Sequence, residues 1–524
     1  MISSPQSKEL LIFQYRTNNL NIMKRQISAA IGLVCLLFAA ACSSDSNSPY
    51  GTYVNPVLAG DYPDPSIVRD GEDYYMTHSS FDYNPGLVVW HSRDLVNWEP
   101  ISYALQEYLG SVWAPDISMR DGKFYIYFTV HGRGNFVVYA DSPYGPWSEP
   151  HDLHVGQIDP CIAVAEDGTK WLFLSGGQRI RLTEDGLDTV SGTLEKVYAG
   201  WPIPEDWITE GLALEGPKVR KIGPWWYFIA AEGGTAGPPT SHMVAIARSK
   251  SVDGPWEDSP YNPLVHTYSR DDRWWSRGHG SLIDTPDGRW YIVYHAYENG
   301  YYNLGRQTLL EPVELGEDGW FHSLGKNIVE GELPAPLPLQ SYDRKSRLGE
   351  FRIGLDWKYY KDFDASRANV QDGTLTLKAT GQSPADAAPL MFVAGDHAYE
   401  FEVEIERDPT ASAGLVLYYN SSYYVGEGIG PRGTMRFRRD KGGVRQRMQD
   451  VTHIWLRLRN DRQVVSAYYS FDGKEWHKDD WGIEVSGYNH NVFHEFQSLL
   501  PGLVAIGEGE VKFSNFKYRT LDSE

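Results

Sequence analysis

One unit recurs five times between residues 62 and 294, and it restricts the fold more than any other feature of the chain. Each copy opens on a polar or ionisable residue beside proline or glycine, and most run on into a short apolar strand. Each then turns at an Asp-Gly or Ile-Gly pair and continues as an aromatic-rich second strand. The first copy is Tyr62-Pro63-Asp64-Pro65-Ser66, then Asp70-Gly71, then Tyr74-Tyr75-Met76. The others open at Trp113-Ala114-Pro115-Asp116, Ile158-Asp159-Pro160, Leu214-Glu215-Gly216-Pro217 and Gly278-His279-Gly280. Proline fixes φ and disfavours helix at its own position and the one before, while Asp-Gly suits a tight hairpin. A spacing of roughly 40–65 residues is within reach of propeller blades. The expectation is five blades, each offering one polar residue at the same structural position: Asp64, Asp116, Asp159, Glu215 and His279. Inner strands of a propeller share one axis, so these five would meet at one mouth.

Composition supports short strands over helices. Aromatic residues make up 14% of the 524, with 51 Gly and 31 Pro, and such a length calls for two domains. A net charge of −21 argues against nucleic acid or an anionic membrane surface as partner. The 18 Trp and 34 Tyr suit neutral polyhydroxylated ligands that stack on rings, so a polysaccharide or oligosaccharide is the expected partner. Of three cysteines, Cys35 and Cys42 fall in the leader and Cys161 reads as a small buried residue, so no disulfide framework is expected.

Residues 1–22 read as an upstream extension. From Met23 the chain shows Lys24-Arg25, an apolar run from Ile31 to Ala41, and then Cys42. This is a secretory signal ending in a lipobox-like stretch, so Cys42 is the expected lipidation site. The protein would cross the inner membrane and sit as an outer-membrane lipoprotein, periplasmic or surface-facing, touching membrane only through that anchor. Ordinary cleavage near Ala41 is the alternative. The propeller is expected over 50–330, followed by the Pro-rich run Leu333-Pro334-Ala335-Pro336-Leu337-Pro338 as a stiff boundary. Over 345–524 alternation in Thr374–Leu377, Tyr399–Ile405, Gly414–Tyr418 and Trp455–Leu458 predicts a two-sheet sandwich. The whole chain is therefore read as all-β.

Converging carboxylates fit either glycoside hydrolysis, with one acid protonated and another ionised, or a calcium site. Calcium is better served by acidic residues gathered in one loop, which the sequence lacks, so hydrolysis is favoured. Taken together, Asp-Pro-Ser, Trp-Ala-Pro, Asp-Pro, Glu-Gly-Pro and Gly-His-Gly resemble glycoside hydrolase family 43, over roughly 55–325. The resemblance implies a five-bladed propeller that cleaves xylosides or arabinosides with inversion, and a jelly-roll or concanavalin-like sandwich behind it. It implies Asp64 as general base, Glu215 as general acid and Asp159 as the residue that orients the acid and raises its pKa. It places Arg306 on the pocket wall and His279 below the pocket, where some members hold a metal through water. No cofactor is required, and a structural calcium near His279 is the one candidate. Phe81, Trp113 and Trp225 are candidate sugar-stacking walls. Asp116 would add a carboxylate to the pocket, and Tyr297–Tyr302 could line a subsite. The motifs leave open an endo-acting arabinanase or xylanase, a non-catalytic glycan-binding lipoprotein, and a scaffold in a surface complex.

Overall fold

The computed structural model describes residues 48–361, 364–438, 441–445 and 448–521. The leader, with Cys35 and the expected lipidation site Cys42, lies outside the described residues.

Five four-stranded antiparallel sheets form the blades, and their innermost strands are Ser66–Asp70, Val112–Arg120, Cys161–Val164, Leu214–Ile222 and Trp274–Asp284. In every blade the order across the sheet follows the order along the chain, so each repeat folds as a local meander. The fourth blade carries one further short strand, Val265–His266, paired to its third strand. The ring closes where the start of the chain meets its fifth blade: Leu58 bridges Thr308, and Tyr62 N–H donates to Arg306 O at 3.0 Å. The Pro-rich run is not a free spacer. Glu332–Pro334 pairs with Thr52–Val54, Ala335 is buried, and Ala335 N–H donates to Gly51 O at 2.9 Å.

Counting along the inner strands corrects the idea that five polar residues share one register. The position just before the Pro or Gly is Asp64, Ala114, Asp159, Gly216 and His279, and all five have positive φ, at 57°, 32°, 58°, 56° and 54°. This left-handed kink at the axis is strained for the four non-glycine residues, and such strain gathers at functional sites. Glu215 stands one residue earlier, in the register of Trp113 and Ile158. Asp116 stands two residues later, in the register of Ser66, Cys161, Lys218 and Ser281.

Those later residues form a second ring beneath the mouth. Asp116 Oδ1 accepts from Lys218 Nζ and from Ser66 Oγ, each at 3.1 Å, and Oδ2 accepts from Ile162 N–H at 3.2 Å. Cys161 Sγ accepts from Val219 N–H at 3.3 Å, and burial pushes its thiol up to about 12, as suits a small structural residue.

The second domain is a sandwich of a seven-stranded and an eight-stranded sheet. All four segments with alternating apolar residues lie on its strands. Propeller and sandwich share structure directly. Tyr83–Asn84, from the first blade, pairs with Trp357–Tyr360 as the last strand of the larger sheet. Tyr62 and Trp90 of the propeller lie in one apolar cluster with Met391, Val416 and Leu500 of the sandwich. Within the Tyr297–Tyr302 segment, Tyr301 reaches this junction and stacks on His397 with centroids 3.7 Å apart.

Candidate active site

At the mouth a pocket with about 380 Å³ of empty space is lined by Asp64, Asp159, Glu215, Arg306, His279, Phe81 and Trp113. Seven expected residues are thus brought together, although they come from all five blades. Ala114, Ile158, Thr235, His242, His295 and Phe496 complete the wall.

Asp64 is buried and heavily bonded. Arg306 Nη1 and Nη2 donate to its two oxygens at 3.1 and 3.4 Å, and Ser79 Oγ donates to Oδ2 at 2.5 Å. Burial pushes this carboxyl up, but the Arg306 guanidinium, His279 and His295 together outweigh it and hold the group well below the ordinary carboxylate range. Asp64 is therefore ionised at neutral pH. Its backbone nitrogen and its Oδ1 each lie 3.1 Å from His295 Nδ1. On the other side of the ring, Nε2 lies 3.0 Å from Thr235 Oγ1. Burial holds His295 down at about 4, so the imidazole is neutral and its nearness to Asp64 Oδ1 is not an ion pair.

The other two carboxyls behave oppositely. Asp159 accepts from Gly216 N–H at 2.9 Å, yet burial, reinforced by the Asp64 charge, pushes it up to about 7. Glu215 is pushed up to about 8, first by burial and then by the neighbouring Asp159 and Asp64. Both shifts point the same way for the same reason: a buried site already holding Asp64 disfavours further negative charge. The site thus presents one ionised carboxylate beside carboxyls that keep their proton near neutrality, which is acid–base chemistry in one pocket.

Aromatic rings form the walls. Phe81 stacks on Phe496 with centroids 5.8 Å apart, and the Arg306 guanidinium lies 5.4 and 4.8 Å from the two rings. Trp113 stacks on His131 at 4.3 Å and meets Phe496 edge-on at 5.6 Å. Phe496 belongs to the sandwich, where it lies on His490 at 4.1 Å. The second domain therefore supplies a wall of the pocket.

Two expected pocket residues lie elsewhere. Trp225 sits at the far end of the Glu215 strand, paired with Ile222, which at ~3.3 Å per residue is about 20 Å from the mouth. Its ring packs against Lys250 Nζ, 3.3 Å from the centroid, and against Arg248. Asp116 is turned to the axis below the pocket, where it neutralises Lys218, both side chains being under a tenth exposed.

The surroundings of His279 do not fit direct calcium coordination. Nδ1 lies 3.4 Å from Asp64 Oδ1, and Nε2 is buried without a partner among the described residues. One Asp64 oxygen and the His242 and His295 imidazoles stand nearby, whereas calcium held directly takes about 6–8 oxygens. Among the described residues no group of three or more His, Cys, Asp or Glu is arranged to hold a metal.

Five blades converging on an acid–base pocket walled by rings define a propeller glycoside hydrolase. Residues 53–321 match the sequence profile described as glycosyl hydrolases family 43, and 350–519 match the β-xylosidase C-terminal concanavalin A-like domain. The chain belongs to glycoside hydrolase family 43. It is 36% identical to a non-reducing end α-L-arabinofuranosidase of Bacteroides ovatus, over 90% of this chain and 95% of that one. It is 30% identical to a xylan 1,3-β-xylosidase of a Vibrio species, over 89% and 98%. Among solved structures it resembles a family 43 protein of Bacillus licheniformis, with a TM-score of 0.80 at 29% identity, covering 90% of this chain and 100% of that one.

Proposed function

We propose that this protein releases single xylose or arabinose units from the ends of plant cell-wall glycans by an inverting, single-displacement reaction. Asp64 is the general base that activates water, Glu215 the general acid that protonates the leaving oxygen, and Asp159 the neighbour that keeps Glu215 protonated. Arg306 fixes Asp64 and, with Phe81, Trp113 and Phe496, frames the sugar. One observation carries this reading: a single small pocket holds Asp64 ionised beside a Glu215 held protonated. Phe496, reaching in from the sandwich, favours a dead-end pocket for one terminal sugar over a cleft that would admit a chain from both sides. The relatives named as xylosidase and as non-reducing end arabinofuranosidase support the same substrate class.

The test compares wild type and Glu215→Ala on unactivated pentosides and on aryl pentosides. Wild type releases pentose from arabinoxylan or arabinan fragments. The variant loses about 10²–10⁴-fold on unactivated glycosides and far less on aryl ones, which leave without protonation. No release by wild type, or equal loss on both substrates, overturns the assignment. We also propose that the enzyme works outside the inner membrane on a Cys42 lipid anchor; Cys42→Ser then moves it from membrane to soluble fractions with its activity intact.

A further inference from the structure

Residues 200–213 run directly into Glu215, and no role described so far uses them. The strand Leu214–Ile222 starts at the mouth and runs away from it, so the residues just before it stand above the mouth. Strand-like bonding continues upstream: Gly233 N–H donates to Ala213 O at 3.2 Å, and Gly211 N–H to Gly233 O at 3.3 Å. Two carboxylates pin the segment. Buried Glu232 accepts from Trp201 N–H at 2.8 Å, and Glu210 accepts from Ala236 N–H at 2.7 Å, beside the pocket residue Thr235. Between the pins, Trp207 lies flat on His266, with centroids 4.6 Å apart and planes 9° apart, and edge-on to Trp201.

This strap is well anchored, yet it turns apolar groups to solvent. Leu212 at 87% and Ile208 at 70% are the most exposed large apolar side chains among the described residues. A folded surface gains nothing from two such side chains on one short segment unless something covers them. The substrate's own connectivity says what does. The scissile oxygen must reach Glu215 to be protonated, so the leaving portion emerges on the Glu215 side of the mouth. That is where the strap stands.

We propose that residues 200–213 are the binding platform for the leaving portion of the substrate. Ile208, Leu212 and the Trp207 ring press on the apolar faces of a polysaccharide backbone whose terminal sugar fills the pocket. The proposal rests on the hydrolase reading above and assigns that reaction a specificity determinant for chain over small aglycone.

Affinity decides it. In a Glu215→Gln background, calorimetry measures a linear pento-oligosaccharide of four or more units and the free pentose, with and without Ile208→Ser and Leu212→Ser. Losing two such contacts weakens the oligosaccharide about ten-fold, while the pentose, which touches only the pocket, stays within two-fold. An unchanged oligosaccharide affinity, or equal weakening of both ligands, overturns the platform. Sugar release by wild type is scored separately, so a failure of the hydrolase reading shows there and not in the affinity ratio.

Discussion

Replacing Asp116 by alanine tests whether this carboxylate belongs to the pocket or to the propeller axis beneath it. The change leaves the Lys218 ammonium, with a side chain only 5% exposed, without its counter-charge. Breaking a buried pair by removing one partner costs about 3–5 kcal/mol. Ser66 Oγ and Ile162 N–H also lose their acceptor, each worth about 1 kcal/mol, though contacts to one shared group do not add fully. A loss near 5 kcal/mol is a large share of the about 5–15 kcal/mol that holds a domain together. At about 2–4 °C per kcal/mol for a domain of this size, the transition falls by about 10–20 °C. Replacing both charges, Asp116→Leu with Lys218→Met, removes the unpaired ion and recovers most of the loss. Thermal unfolding followed by tryptophan fluorescence reads all three proteins, and KM is measured on the folded fraction at 25 °C. A transition unmoved in Asp116→Ala together with a raised KM would refute the axial role and return Asp116 to the pocket.

Three further outcomes follow from the site. With Glu215 as the acid and its carboxyl raised, activity is full below its pKa and declines as pH rises through about 8. Asp64 is depressed, so the acid limb lies well below neutrality. Asp159→Asn moves the alkaline limb of kcat/KM down, but only part of the way, because burial is the larger cause of the Glu215 shift; an unmoved limb counts against Asp159 as the tuning group. Phe496→Ala strips the ring that packs on Phe81 and covers Arg306, which raises KM and the inhibition constant for free pentose by about ten-fold. Unchanged constants would mean that the sandwich takes no part in binding.

The repeat made the architecture legible because each blade is a local meander that repeats its own turn chemistry, and alternation did the same for the sandwich. Asp64, Asp159, Glu215 and Arg306 were readable through the proline and glycine motifs around them and the family resemblance those motifs carry. The misplacements have physical reasons. Asp116 shares its motif with Ala114, and only the kink before Pro115 shows which of the two faces the mouth. Trp225 looks like any exposed ring until strand direction puts it at the remote end. His242 and His295 sit in or beside apolar strands as neutral buried rings, and nothing local separates them from core histidines. Phe496 reaches the pocket from the other domain, and no period along the chain links it to Phe81.

The account stands most directly on the anomer first released. If Asp64 and Glu215 are base and acid of a single displacement, water attacks between them, as in inverting enzymes whose carboxyls lie about 6.5–9.5 Å apart, and the anomeric carbon inverts. An early ¹H NMR time course on a pentoside of defined anomer, faster than mutarotation, then shows free sugar first in the opposite configuration. First appearance of the retained anomer, or a glycosyl-enzyme trapped on Asp64, contradicts it.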